Sequence, residues 1–306
     1  MNISQVYAVY FSATGNTRKV TTTLANALAV SFDVPLEVRD FTLPAAREES
    51  YEFAAGDLVV FGMPTYAGKL PNKLLEFVKS GFHGNGALAV PVVTFGNRSF
   101  DNSLAELCAC LEGDGFHTIG AGAFACRHAF TDALANGRPD SDDMAELAKL
   151  GSAVVGRIVR MTEYPAPVTV DGDADAPYYR PLGLDGEPKV FLKAKPKTDL
   201  DKCIHCGVCA SLCPMGSINP DDVTEVVGVC IKCHSCVRNC PMGAKYFDDP
   251  AFLSHRAMLE RTIRAGQRTR SSQRKLLHKK ALFGFSKQSL LMHMRPTEQR
   301  FAAVNG

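Results

Sequence analysis

The chain has 306 residues, of which 46% are apolar and 22% charged, a profile that excludes wholesale disorder and leaves room for one large domain or two ordinary ones. No stretch reaches the roughly 20 apolar residues of a membrane span, and Met1–Phe11 lacks a basic leader and a small-residue cleavage site, which predicts a cytoplasmic protein. The net charge of +2 hides an asymmetry: residues 251–306 hold 12 Lys and Arg against 2 Asp and Glu, and the first 250 hold 22 against 30, so an acidic body bears a basic tail.

Residues 1–163 alternate apolar runs with helical periodicity. Strands are expected at Val6–Phe11, Leu36–Asp40, Asp57–Gly62, Ala87–Phe95 and Ile119–Ala125. Helices are expected at Asn16–Val30, with Val20, Leu24, Ala27 and Leu28 on one face, and at Leu70–Ser80, Asn102–Leu111 and Asp140–Met161. Five short apolar strands separated by helices predict a parallel sheet covered on both faces, an α/β fold. The glycine run Gly81–Gly86 precedes a strand and reads as a loop.

The first strand runs into Ser12-Ala-Thr-Gly-Asn-Thr17 and then a helix. Hydroxyls at Ser12, Thr14 and Thr17, Asn16 beside them and Gly15 in the turn make an anion site, because free N–H groups at a helix N-terminus point at a phosphate and the dipole favours its charge. The loop has no Lys and no Walker spacing, which argues against a nucleoside triphosphate. It also lacks the dinucleotide glycine pattern. A monophosphate such as FMN remains, set against a plain capped helix start. Two further loops follow strands: Pro64-Thr65-Tyr66-Ala67-Gly68-Lys69 and Thr94-Phe95-Gly96-Asn97-Arg98. Arg98 is open between pairing with an acid and contacting a ligand. His128 follows the last strand, as a site-adjacent group or a satisfied structural histidine. Cys108, Cys110 and Cys126 read as small buried hydrophobes.

Residues 164–200 contain six prolines and Asp171, Asp173 and Asp175, the composition of a linker with extended pieces. The block 201–250 holds eight of the 11 cysteines. An odd total without an export signal argues against a disulfide framework. Cys203, Cys206, Cys209 and Cys213 follow C-x2-C-x2-C-x3-C-P, and Cys230, Cys233, Cys236 and Cys240 repeat it 27 residues later, with 8 identities in 16 positions. Zinc sites use separated Cys pairs, not three cysteines in a row plus Cys-Pro, so the spacing points to iron–sulfur clusters. His205 and His234, inside these loops, are expected to face solvent. Beyond 250, Phe252, Leu259 and Ile263 recur at helical spacing. Basic residues are then interleaved with Leu277, Leu282, Phe283, Phe285, Leu290 and Leu291, the pattern either of a solvated tail or of an interfacial helix on an anionic surface.

The two cysteine runs resemble bacterial-type two-cluster [4Fe-4S] ferredoxins, a small α+β domain. In such proteins the fourth Cys of each run ligates the other cluster. That implies cluster I on Cys203, Cys206, Cys209 and Cys240, and cluster II on Cys230, Cys233, Cys236 and Cys213. The S-x-T-G-N-T loop and the β/α order over 1–163 resemble the flavodoxin-like fold, a doubly wound five-stranded parallel sheet. By that resemblance FMN is held by Ser12, Thr14, Gly15, Asn16 and Thr17, by Pro64, Thr65, Tyr66 and Gly68, and by Thr94, Gly96 and Asn97. Tyr66 flanks the ring in that reading, although a plain surface aromatic stays open for it.

Together the modules resemble the fused flavodoxin–ferredoxin proteins of anaerobic bacteria and archaea. The domains are then 1–163, linker 164–200, ferredoxin domain 201–250 and tail 251–306. The resemblance implies an electron carrier between a redox partner protein and FMN, with no catalytic residue assigned. The alternatives are an FMN-dependent reductase of a small acceptor, fed by its own ferredoxin domain, and a redox-linked binder of nucleic acid or membrane surface through the tail. Of these the carrier is favoured and no nucleic acid is expected. The tail is left to contact an acidic partner or a membrane surface.

Overall fold

The computed structural model describes residues 2–270, with side chains through residue 263. The first unit is built from β1 (Gln5–Tyr10), α1 (Asn16–Phe32), β2 (Leu36–Asp40), β3 (Tyr51–Glu52), β4 (Asp57–Pro64), α2 (Leu75–Ser80), β5 (Phe82–His83), β6 (Leu88–Phe95), α3 (Ser103–Gly113), β7 (His117–Thr118), β8 (Gly122–Ala125) and α4 (Ser141–Arg160). The main sheet runs β2-β1-β4-β6, and β7 and β8 both pair with β6 at its far side. Every pairing in it is parallel. The expected fifth strand is therefore two short pieces in one sheet position. Its break falls where the Arg157 guanidinium donates to the Ile119 carbonyl at 2.7 Å. This is the flavodoxin-like α/β architecture, a doubly wound five-position parallel sheet.

Strand burial explains the two layers. β4 is buried from Asp57 to Met63, as a central parallel strand requires. One face packs Val20, Leu24 and Leu28 of α1 against Leu147, Leu150 and Val154 of α4. Of the expected α1 face Val20, Leu24 and Leu28 are buried and Ala27 is exposed, with Ala25 buried in its place. The other face packs Leu104, Leu107 and Leu111 of α3 with a cluster of phenylalanines around Phe41, Phe61 and Phe82. Two expectations change. The helix expected from Leu70 starts only at Leu75: Pro71 keeps Leu70 out of the helical region, and the chain first makes a tight turn in which the Leu74 N–H donates to the Pro71 carbonyl at 2.8 Å. The glycine run contributes a strand, β5, paired with β3. Cys108, Cys110 and Cys126 are buried, and burial pushes each thiol up to about 12.

Residues 164–200 form a strap laid on the first unit. Val168 is buried in its core and donates its N–H to Thr118 Oγ1 at 3.0 Å. Tyr178 Oη donates to the Leu70 carbonyl and Tyr179 N–H to the Ala67 carbonyl, both at 2.8 Å. The cysteine block follows, with β9 (Lys197–Thr198), α5 (Val208–Ser211), α6 (Ser235–Arg238) and β10 (Lys245–Tyr246), the two strands pairing antiparallel. The helix α7 (Pro250–Arg270) comes last. It buries Phe252 and Leu259 as the spacing predicts, and Ile263 is half-buried. The apolar and basic positions expected beyond 270 lie outside the described residues. No helix among the described residues is long and apolar enough to cross a membrane.

Candidate functional site

Three cavities carry the chemistry. The first is lined by Cys203, Cys206, Cys209 and Cys240, the second by Cys213, Cys230, Cys233 and Cys236. The last cysteine of each run thus crosses to the other run's cavity. The internal repeat is written in the backbone: left-handed φ values at His205, Gly207 and Gly216 recur at Lys232, His234 and Gly243, each 27 residues on. The N–H of Ser217 donates to Cys213 Sγ at 3.3 Å, and that of Ala244 to Cys240 Sγ at 3.2 Å. Such donors stabilise thiolates and tune cluster potentials.

Among the described residues no group of three or more His, Cys, Asp and Glu side chains stands close enough to hold a single metal ion. Four soft sulfur donors around a cavity suit a larger iron–sulfur group. Burial raises the thiols of Cys233 and Cys230 and brings Cys236 to about 12. Burial alone would raise Cys240 as well, but the N–H groups of Ala244, Met242, Lys245 and Gly243 outweigh it and lower that thiol. Loading such cysteines releases protons.

The third cavity, about 230 Å³, lies at the C-terminal ends of the sheet strands, where ligands bind in doubly wound folds. Thr14, Asn16, Thr17, Pro64, Thr65, Tyr66, Gly68, Thr94 and Gly96 line it. Ser12, Gly15 and Asn97 are not among its lining residues. Ser12 Oγ accepts from the Arg18 N–H at 3.0 Å, and Asn97 Oδ1 accepts from Arg138 at 3.3 Å. Gly15, at φ 86°, starts α1 with no side-chain cap, and the first turn holds no acidic residue. Apart from that of Arg18, which goes to Ser12 Oγ, the first-turn N–H groups are left for an anion. Thr17 and Thr94 join their hydroxyls at 2.7 Å, tying the start of α1 to the end of β6. Polar neutral donors at one end and apolar walls at the other fit FMN.

The loop 64–69 is held tightly. Tyr66 N–H donates to the Lys69 carbonyl at 2.8 Å and Lys69 N–H returns to Tyr66 at 3.2 Å, with Ala67 and Gly68 at positive φ. Lys69 and Glu106, both buried, pair at 3.0 Å, and the ammonium also donates to the Ala174 carbonyl of the strap. Burial, then the sulfurs of Cys233 and Cys230, hold the Tyr66 phenol well above its ordinary value. Tyr66 lines the third cavity and feels the thiols of the second.

Spacing gave no sign of the opposite wall. Tyr179, Pro181 and Phe191 come from the strap, Ile231, Lys232 and Cys233 from the cysteine block, and His255 and Leu259 from α7. Ile231 and Cys233 line both the second and third cavities. Arg98 lines the third, pairs with Asp101 and stacks 4.0 Å over the Tyr179 ring. His128 lines it too, its Nδ1 accepting the Phe130 N–H at 3.1 Å. Burial first, then His255, Arg238 and Arg98, bring His128 down to about 4. His205 is exposed as expected. His234 is not: it is 5% exposed, stacked on Phe247 and Phe252, and burial lowers its pKa. It is buried because its loop faces the first unit, whereas the equivalent loop around His205 faces outward.

Family models match two segments: a flavodoxin domain over residues 7–94 and a 4Fe-4S dicluster domain over 195–241. Among solved structures, a flavodoxin from the Archaea is 14% identical with a TM-score of 0.37, covering 51% of this chain and 99% of its own. A flavodoxin of Streptococcus pneumoniae TIGR4 is 15% identical with a TM-score of 0.37, covering 50% and 99%. A protein described as flavone reductase is 10% identical with a TM-score of 0.37, covering 98% and 96%. No curated protein matches the chain.

Proposed function

Because the chain joins a flavodoxin domain to a 4Fe-4S dicluster domain, we propose that it transfers electrons between an external one-electron partner protein and FMN, through two [4Fe-4S] clusters, in the cytoplasm. The observation that carries this reading is the shared wall: Ile231 and Cys233 belong to both the second cysteine cavity and the cavity of the phosphate loop. Electron transfer falls steeply with distance, so a common wall is what an internal relay needs.

Cys213, Cys230, Cys233 and Cys236 would hold the inner cluster, and Cys203, Cys206, Cys209 and Cys240 the outer one. Around the outer cavity Cys206 is exposed, and Ile204 and Met242 are 60% and 48% exposed. A partner protein would dock there. Thr14, Asn16 and Thr17 would hold the FMN phosphate through neutral donors, and Pro64–Gly68 and Thr94–Gly96 would hold the ring. Bound FMN accepts one or two electrons and so couples one-electron to two-electron partners. Thr17 and Thr94, by joining the start of α1 to the end of β6, keep the phosphate and ring ends in register.

Anaerobically purified protein is expected to contain about eight irons per flavin. Cys213→Ser, although it lies in the first cysteine run, should cost the inner cluster and leave about four irons and the full flavin content. Its flavin should be reduced by a ferredoxin-type donor at least tenfold more slowly, while direct photoreduction stays normal. An unchanged donor-driven rate would refute the relay.

A further inference from the structure

In an isolated flavodoxin-like unit the ligand cavity at the strand ends opens to solvent and to partner proteins. Here the strap, the cysteine block and α7 stand across it. Two arginines fix that cover. Arg238 of α6 donates to the carbonyls of Ala129 at 2.9 Å and His128 at 3.0 Å, and pairs with Asp132 at 2.6 Å. Arg47 of the first unit reaches the Pro214 carbonyl at 2.5 Å. A second protein does not fit between surfaces latched in this way, whereas a small molecule does.

The cover has a distinct chemistry. Phe130, Phe191 and Tyr179 line the cavity as flat apolar walls. Among them His128 offers a directed donor. Its Nδ1 accepts the Phe130 N–H, so in the neutral ring the proton sits on Nε2. Nε2 has no acceptor among the described residues and lies beside Gly96, where an added Cβ would come within 3.1 Å of it. Gly96 is in the loop that the flavin reading places at the ring. The imidazole stays neutral at physiological pH because it is buried and faces Arg98, Arg238 and His255. It is therefore a donor that adds no charge, which suits a carbonyl oxygen better than a carboxylate.

We propose that the cavity between the two domains is a substrate site for a planar conjugated carbonyl compound, stacked among Phe130, Phe191 and Tyr179 and held at its oxygen by His128 Nε2–H. The proposal rests on the reading that FMN occupies the same cavity. It turns the chain from a carrier into a terminal reductase. The conjugated carbonyl takes up two electrons, delivered singly by the external partner protein, and two protons from water. One carbon–carbon π bond is lost and two C–H bonds form.

The test uses oxidised full-length protein whose FMN content has been measured by acid release. 4-Hydroxybenzaldehyde and 4-methylphenol, which share the phenol ring and of which only the first carries an acceptor at the para carbon, are titrated against the flavin absorption spectrum at pH 6, where both phenols are neutral. The aldehyde should perturb the spectrum and bind about tenfold more tightly than 4-methylphenol, the worth of one hydrogen bond. His128→Phe, which keeps a flat ring and carries no donor, should erase the preference. Equal binding of the two compounds by the unaltered protein, or no perturbation by millimolar aldehyde with FMN bound one to one, would overturn the site and leave the relay standing. Absence of bound FMN would overturn both. Reduced protein mixed with 2-cyclohexenone should yield cyclohexanone, one per two electrons supplied, and no product would rule out the reductase role.

Discussion

At the scale of single residues, His128 concentrates the most consequence. The side chain lies on the backbone of Gly96, where any Cβ would come within 2.4 Å of the imidazole Cδ2. A glycine at 96 is thus what allows the ring to reach the cavity. Burial, His255, Arg238 and Arg98 hold its pKa near 4, against about 6.5 for a free imidazole. The linkage follows in sign. Between those values the unfolded chain binds a proton that the folded chain refuses, so stability falls as pH drops through 6.5 and levels off below 4. Calorimetry of the full protein from pH 7.5 to 5 should show a falling Tm, and His128→Gln should lessen the fall. An identical pH profile in the variant would show that His128 stays solvated and titrates normally. His255, also lowered by burial, adds a smaller contribution of the same sign.

Elements supply the positioning. The loop 64–69 leaves β4 and must hold Tyr66 in the wall of the third cavity. It relies on the buried Lys69–Glu106 pair, since Glu106 of α3 also accepts the Leu70 N–H at 2.7 Å. Lys69→Met would strand a buried carboxylate, at a cost of about 3–5 kcal/mol. The expected result is a loss of that size in a denaturant titration, with a weaker grip on FMN seen by equilibrium dialysis. A change below about 1 kcal/mol would mean that water already solvates the pair.

Elements also mark how far local sequence reaches. The phosphate loop, the loops after β4 and β6 and both cysteine runs were legible because each is a contiguous string whose spacing is its chemistry. The edge strand was read as one piece because apolar periodicity cannot see a carbonyl claimed by Arg157. His234 was misjudged because its environment comes from Phe247 and Phe252, and from Phe130 over a hundred residues away. The cavity's second wall, from Tyr179 to Leu259, has no local signature. Its members share only a position in space.

The whole molecule turns on how firmly the two domains are held together, because a relay across the wall of Ile231 and Cys233 works only while that wall is closed. Arg238 is the principal latch. It is 15% exposed at its side chain and engages two carbonyls and a carboxylate of the 128–132 segment at once. Its planar fork matches three acceptors in a way that a lysine ammonium cannot. Arg238→Ala leaves those carbonyls without their donor at an apolar interface, where hydrogen bonds to a charged group are worth about 1.5–3 kcal/mol each. Even the low end of that range, about 1.5 kcal/mol, raises the undocked fraction roughly tenfold. The variant should retain full iron, sulfide and flavin, because Arg238 lines none of the three cavities. Its donor-driven flavin reduction should fall only by the share of docked protein that is lost, whereas limited proteolysis of the strap, which tracks the open population, should quicken about tenfold. Arg238→Lys should fall between the variant and the unaltered protein. If Arg238→Ala kept the protease resistance, the latch would lie elsewhere, and Arg47 with its hold on Pro214 would be the next residue to remove.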